Sequence, residues 1–311
     1  MRKTLPLFLI LCFNFFDLHA QHSGESSEVH KKEITKATYT EETFNSTCLI
    51  NGQTTEIIPR GTMDFKISHR FGLLNSGFSN FFGLDEAHAR FGFDFGLTDN
   101  LMIGTGHNTH IGTYDAFVKF KFLKQSSGEK EMPITATFFA QTAVNGRKKE
   151  DLEAIMFTPG KDYLIRNFSD RVSNVFQLIV ARKFSEAFSV QIMPSIVHHD
   201  NIFLNDRDEI SVYNKINAFA AGIGFRQKLT KKMHLTGEYY YQLPSAKTIG
   251  ITNSLSAGIE IVTSGHVFQM HITNSRHMLE QSFITNSSGK WGKGDILFGF
   301  NLHRKFYLKR K

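Results

Sequence analysis

The stretch AHARFGFDFGL, residues 87–97, decides the fold. In an extended chain Ala87, Ala89, Phe91, Phe93, Phe95 and Leu97 fall on one face, and His88, Arg90, Gly92, Asp94 and Gly96 on the other. Successive side chains of a strand point to opposite sides, so one face is apolar and the other polar. Tyr114, Ala116, Val118, Phe120 and Phe122 alternate in the same way with Asp115, Lys119 and Lys121. Near the C-terminus Ile296, Phe298, Phe300, Leu302 and Phe306 alternate with Gly299, Asn301, His303 and Lys305. Period two runs from Gly61 to the end, and no helical period long enough for a second domain interrupts it. The composition agrees: 311 residues hold 31 Phe and 24 Gly but only 6 Pro, a balance suited to many strands joined by tight turns.

Alternation alone also fits a soluble sandwich, and the connection lengths discriminate. Strands are expected at roughly 63–71, 87–97, 101–107, 114–123, 133–143, 171–182, 188–198, 215–227, 233–242, 253–263, 266–274 and 294–308, about twelve in all. The connections after odd strands are mostly long (72–86, 108–113, 144–170, 199–214, 243–252 and 275–293), and those after even strands mostly tight. Short periplasmic turns opposite long external loops mark a transmembrane barrel. The fold class is therefore all-β, a single antiparallel up-and-down barrel over residues 61–311, with loops 144–170 and 275–293 projecting outside the cell.

Ahead of the barrel, Arg2 and Lys3 precede the apolar run Leu5–Phe16 and the small-residue exit Leu18-His19-Ala20. Residues 1–20 read as a secretory signal peptide, too short to anchor in a bilayer. Cys12 falls inside that leader, which leaves Cys48 alone and excludes an internal disulfide. Residues 21–60 form a polar N-terminal periplasmic segment: the first part carries mixed charge without an apolar period, and 43–60 either plugs the lumen or caps one end. The net charge of +7 is scattered and gives no case for nucleic acid.

With these residues in place, the chain resembles the outer-membrane β-barrel proteins of unknown function found widely in Bacteroidota. The resemblance rests on Ile67-Ser68-His69-Arg70-Phe71-Gly72, Phe81-Phe82-Gly83-Leu84-Asp85, Gly106 with Tyr114-Asp115 and Val118-Lys119-Phe120-Lys121, Thr263-Ser264-Gly265-His266-Val267-Phe268-Gln269 with Thr273-Asn274-Ser275, and Phe298-Gly299-Phe300-Asn301. It spans nearly the whole mature chain. Gly106-His107-Asn108 and Ser264-Gly265 depart from the pattern. The resemblance implies fold and outer-membrane location, and brings no activity with it.

Function must then be read from the polar faces. Arg70, Arg90, Asp94, Asp115, Lys119, Glu238, Glu260 and Lys305 are expected to line the lumen. Either they pair into a network that fills a narrow closed barrel, or Arg70, Arg90, Lys119 and Lys305 draw a small anionic solute along a hydrated passage. No zinc-type spacing or Cys-x-x-Cys-His occurs, the acidic loop 198–209 lacks the calcium-loop glycine, and Gly222-Ile223-Gly224 lies in a strand with no helix after it. No cofactor or metal is expected. His271-Ile272-Thr273-Asn274-Ser275 gathers a histidine, a hydroxyl and an amide, but consecutive strand residues face opposite ways, and no catalytic residue is assigned. The expected function is a non-enzymatic, porin-like barrel embedded in outer-membrane lipid, a narrow channel or solute-binding barrel for a small solute. The alternative is a closed structural or docking barrel that contacts a periplasmic protein through residues 21–60, and a weaker one is a membrane-embedded hydrolase.

Overall fold

The computed structural model describes residues 36–110, 112–148, 150, 168–199, 203–204, 210–212, 216–244 and 251–308. The signal-peptide reading and the first part of the 21–60 segment therefore lie outside the described residues. Twelve strands form a closed antiparallel barrel: β1 (Thr62–Leu73), β2 (Ala87–Gly96), β3 (Leu101–Asn108), β4 (Thr113–Leu123), β5 (Thr135–Asn145), β6 (Val172–Lys183), β7 (Phe188–His199), β8 (Ile216–Lys228), β9 (Met233–Gln242), β10 (Ser254–Val262), β11 (His266–Thr273) and β12 (Leu297–Tyr307). Every expected strand is present, with ends shifted by three residues or fewer. Each strand pairs with its neighbours in sequence, and β12 returns to β1 with Phe300 opposite His69 and His303 opposite Lys66. Closure satisfies the backbone groups that hydrocarbon cannot hydrate and leaves no open edge.

The alternation sets which way each side chain faces. Phe91, Phe93, Val118 and Phe120 are exposed on the outer wall, whereas Arg90, Asp94, Asp115 and Lys119 are buried inside. Outer aromatic pairs run across strands, with ring centroids 5.1 Å apart for Phe65 and Phe93 and 5.7 Å for Phe71 and Phe298. Pro194 of β7 also faces outward and has no N–H to donate; pairing between β6 and β7 lapses between Ser195 and Ile192.

The interior has two chemistries. Phe139, Val175, Ile179, Met193, Val197 and Ala218, from β5 to β8, build an apolar sector with Ile58, Phe283 and Ile284 from outside the strands. The rest of the wall is polar. Loop 275–293 corrects the expectation of an external loop: residues 275–287 are buried, and a short helix α1 (Glu280–Thr285) lies against β6, β7 and β9. The loop turns inward because it carries Met278, Leu279, Phe283 and Ile284, which find apolar partners in the lumen; Phe283 stacks edge-on against Tyr240 at 4.9 Å. Most of loop 144–170 lies outside the described residues.

The outer face yields the first prediction. Phe93→Arg places a guanidinium on the lipid wall at mid-strand and is expected to cost about 2–4 kcal/mol in urea unfolding from lipid vesicles. A loss below about 0.5 kcal/mol would mean that this face does not meet hydrocarbon.

Candidate functional site

The site is the filled lumen. Residues 43–58 enter the barrel from the end that carries the start of β1 and the end of β12, and fold into a hairpin held by Leu49 N–H donating to Gly52 O at 2.8 Å and Thr54 N–H to Thr47 O at 2.9 Å. A segment without a strand ladder of its own can sit inside a protein only if its backbone groups find partners, and the barrel wall supplies them. The Glu238 carboxylate accepts from the N–H groups of Ile50, Asn51 and Gly52 at 3.3, 2.7 and 3.1 Å. Lys119 Nζ donates to the carbonyls of Thr47 and Glu56 at 2.9 and 3.0 Å, Asn301 Nδ2 to Ile50 O at 2.8 Å, and Gln191 Nε2 to Gln53 O at 2.8 Å. Gln269 reaches Leu49 O in the same manner. At the hairpin tip the approach is close: a Cβ on Gly52 would collide with the hydroxyl end of the buried Tyr240.

The remaining charges divide between plug and wall. Arg70, fully buried, donates to Asn51 Oδ1 at 2.5 Å and Asn301 Oδ1 at 3.3 Å. Arg90 forms a fork with Asp115 at 3.0 and 2.5 Å, spanning over Gly106, where a Cβ would strike the guanidinium at 2.5 Å. Asp94 meets Lys66 Nζ at 2.7 Å and accepts from Thr47 of the plug at 3.3 Å. Glu260 accepts from Asn45 Nδ2 at 2.8 Å and Ser46 Oγ at 3.4 Å. Lys305 sits apart from these, exposed at the mouth. Among the described residues the strands bury five cations (Lys66, Arg70, Arg90, Lys119, Arg226) and five carboxylates (Asp64, Asp94, Asp115, Glu238, Glu260), so the wall carries no excess of positive charge.

The lid closes the other end. Glu280 of α1 reaches the plug through a hydrogen bond with Gln53, and plug and lid together line a void of about 20 Å³ bounded by Arg70, Gln141 and Glu280, room for one water. His199 meets Thr285 at 3.0 Å, and Thr252 donates to Gly289 O at 2.8 Å. Sequence reasoning missed the lid and the apolar sector; Met278-Leu279 and Phe283-Ile284 inside an otherwise polar loop were the available signal. His271 and Thr273 both face inward, Thr273 Oγ1 accepts from Ser256 at 2.9 Å, and no hydroxyl bonds to His271 among the described residues. That stretch therefore lacks the base-to-nucleophile contact of a hydrolase.

Residues 44–306 match the family described as membrane bound beta barrel domain (DUF5777), and the chain belongs to that family. It is a membrane-bound β-barrel of the outer-membrane type. The NanC porin is similar in fold at a TM-score of 0.46 and 7% identity, over 78% of this chain and 100% of that one. The KdgM porin follows at 0.42 and 7%, over 79% and 99%. Outer membrane phospholipase A from Escherichia coli gives 0.38 and 11%, over 82% and 97%. These likenesses concern architecture, and nothing those proteins conduct or cleave is carried to this chain. No curated protein matches it.

Two predictions come from this site. Burial pushes the Cys48 thiol up, so in the seated plug it is a poor nucleophile. Glu238→Ala strands three backbone donors at the hairpin tip, each bond to a charged group being worth about 1.5–3 kcal/mol. In a Cys12→Ser background, maleimide labelling of Cys48 is expected to accelerate at least about tenfold in the variant; equal rates would mean that Glu238 does not hold the plug. Burial also pushes Glu280 up to about 7, against the opposing pull of Gln53 and Arg90. A carboxyl raised in the seated lid favours seating below the ordinary carboxylate range and loses that contribution as pH rises through about 7. From the ordinary carboxylate range up to about 7 each unit weakens lid closure about tenfold, and above 7 the effect levels off. Iodide quenching of Trp291, the sole tryptophan, is expected to rise from about pH 5 to pH 7, to level off above it, and to stay flat in Glu280→Gln.

Proposed function

We propose that this chain is a gated solute barrel of the bacterial outer membrane, of the kind found in Bacteroidota, which rests closed and opens a narrow path without catalytic chemistry when plug and lid withdraw. One observation carries the reading: five polar side chains of the wall, Glu238, Lys119, Asn301, Gln191 and Gln269, are spent on the plug's backbone. Groups that bond a removable backbone can bond water instead, so withdrawal exchanges partners and strands none of them. A barrel meant only to be filled has no need of this, because well-packed apolar pairs serve as well. The emptied lumen has one charged wall and, across it, the apolar sector of β5 to β8, which suits a small solute with both polar and apolar parts.

The balance of charge narrows the expected anion attraction. Arg90 and Lys66 are matched by Asp115 and Asp94, so Arg70, Lys119 and Arg226, whose hydrogen bonds go to amides and carbonyls, are the fixed cations that would act on an ion in transit, beside the carboxylates Glu238 and Glu260. A docking role has its own support. Thr38–Tyr39 pairs with Ser126–Ser127 in the connection between β4 and β5, so the chain ahead of the plug leaves the lumen at the end where a periplasmic partner would reach it. Such a partner would act on the plug.

In planar bilayers the whole protein is expected to be almost silent, and deletion of residues 36–58 together with replacement of lid residues 276–287 by a short linker to give steady conductance. A deletion variant that still shifts on a heat-modifiability gel but never conducts would remove the channel reading and leave the docking barrel. Arg90→Glu would set a second carboxylate against Asp115, at an expected cost of about 3–5 kcal/mol in unfolding.

A further inference from the structure

We infer that the cavity between plug and wall at the termini end is a binding site for a small zwitterion with an apolar body, the chemistry of an apolar α-amino acid. The inference rests on the solute-barrel reading and names the class of solute. The cavity measures about 390 Å³, within the range of small-molecule sites. Its lining comes from two parts of the chain that separate when the plug leaves. Glu42, Phe44 and Glu56 belong to the plug side; Val267, Lys305 and the tight turn Thr263–Gly265 belong to the barrel.

Charge is sorted across it. Both carboxylates lie on the plug side, and the lysine lies opposite. Glu56 is already engaged, accepting from Phe44 N–H at 3.1 Å and standing 3.9 Å from Lys121. His303 is likewise taken by Asp64 at 3.1 Å. Glu42 and Lys305 enter no hydrogen bond or ion pair among the described residues. Beyond the longer-range fields of Arg226 on Glu42 and of Asp64 on Lys305, one anion and one cation without a contacting partner therefore face a shared cavity, and Phe44 and Val267, both buried, add apolar lining. A free anion would meet Lys305 but also the field of Glu42, and a free amine the reverse; a ligand carrying both charges satisfies both walls. Glu42 holds a left-handed backbone at φ 51°, a conformation that non-glycine residues rarely adopt and that clusters at ligand clamps. A ligand spanning both walls also ties the plug to the barrel, so its binding favours the closed state.

The test uses the full chain in nanodiscs and saturation-transfer NMR titration with L-phenylalanine, 3-phenylpropionate and 2-phenylethylamine, which share the ring and differ in charge. Phenylalanine is expected to bind at least about tenfold more tightly than either analogue. Lys305→Glu and Glu42→Lys are each expected to weaken it about tenfold, and the double swap to recover most of the affinity, which a folding defect cannot do. Absence of saturable phenylalanine binding, an analogue that binds as tightly, or two single reversals without effect would each overturn the inference. The cavity exists with the plug seated, so a barrel that never conducts can pass this test and a conducting one can fail it.

Discussion

Three backbone N–H groups at the tip of the plug converge on one carboxylate, Glu238, inside a sealed barrel. The arrangement follows from a constraint that acts on both sides of the sheet. Hydrocarbon outside requires that the strands satisfy one another, which closes the ring and fixes the outward file as apolar. Closure then confines the inward file, with its carboxylates and cations, where each unpartnered group would be costly. The plug answers that cost. Its own backbone, polar and otherwise unable to be buried, takes Glu238, Lys119, Asn301, Gln191 and Gln269 as partners, so that wall and plug each satisfy the other.

The two closures differ in kind. The plug is held by hydrogen bonds to its backbone together with the buried Phe44, Leu49 and Ile58, whereas the lid enters mainly with Phe283 and Ile284 against the apolar sector of β5 to β8. Hydrogen bonds can be traded for water at little net loss, while the apolar contacts resist hydration. Glu280, a titratable group of the lid, lies where lid meets plug, so protonation on one element bears on the seating of the other. The ion pairs Arg90–Asp115 and Lys66–Asp94 belong to the wall and remain when either closure moves.

The strands were legible because lipid imposes a strict division on them: Phe91, Phe93 and Phe95 out, Arg90 and Asp94 in. Connection lengths supplied the closure, since parity of long and short links has no cause in a sandwich. The charged lumen residues followed from the same phase. Their partners did not, because Glu238 and Ile50 lie far apart in sequence and no local pattern pairs them. The apolar sector was hidden for another reason. In Phe138-Phe139 and Leu178-Ile179 both faces are apolar, so hydrophobicity cannot tell lipid from core. Loop 275–293 misled because long loops in barrels usually project, and its five apolar residues are too few to show a period. Cys48 gave no signal of its own beyond its solitude.

The central claim is that residues 43–58 sit in the lumen as ordered structure bonded to the wall. Hydrogen exchange of the amides of Ile50, Asn51 and Gly52 in the folded barrel tests it most directly, because those three protons are committed to Glu238. Protection comparable to that of the lumen-side strands, slower than an open chain by about a thousandfold or more, is the expected result. Exchange at the rate of an unstructured segment, with the barrel intact, would contradict the account.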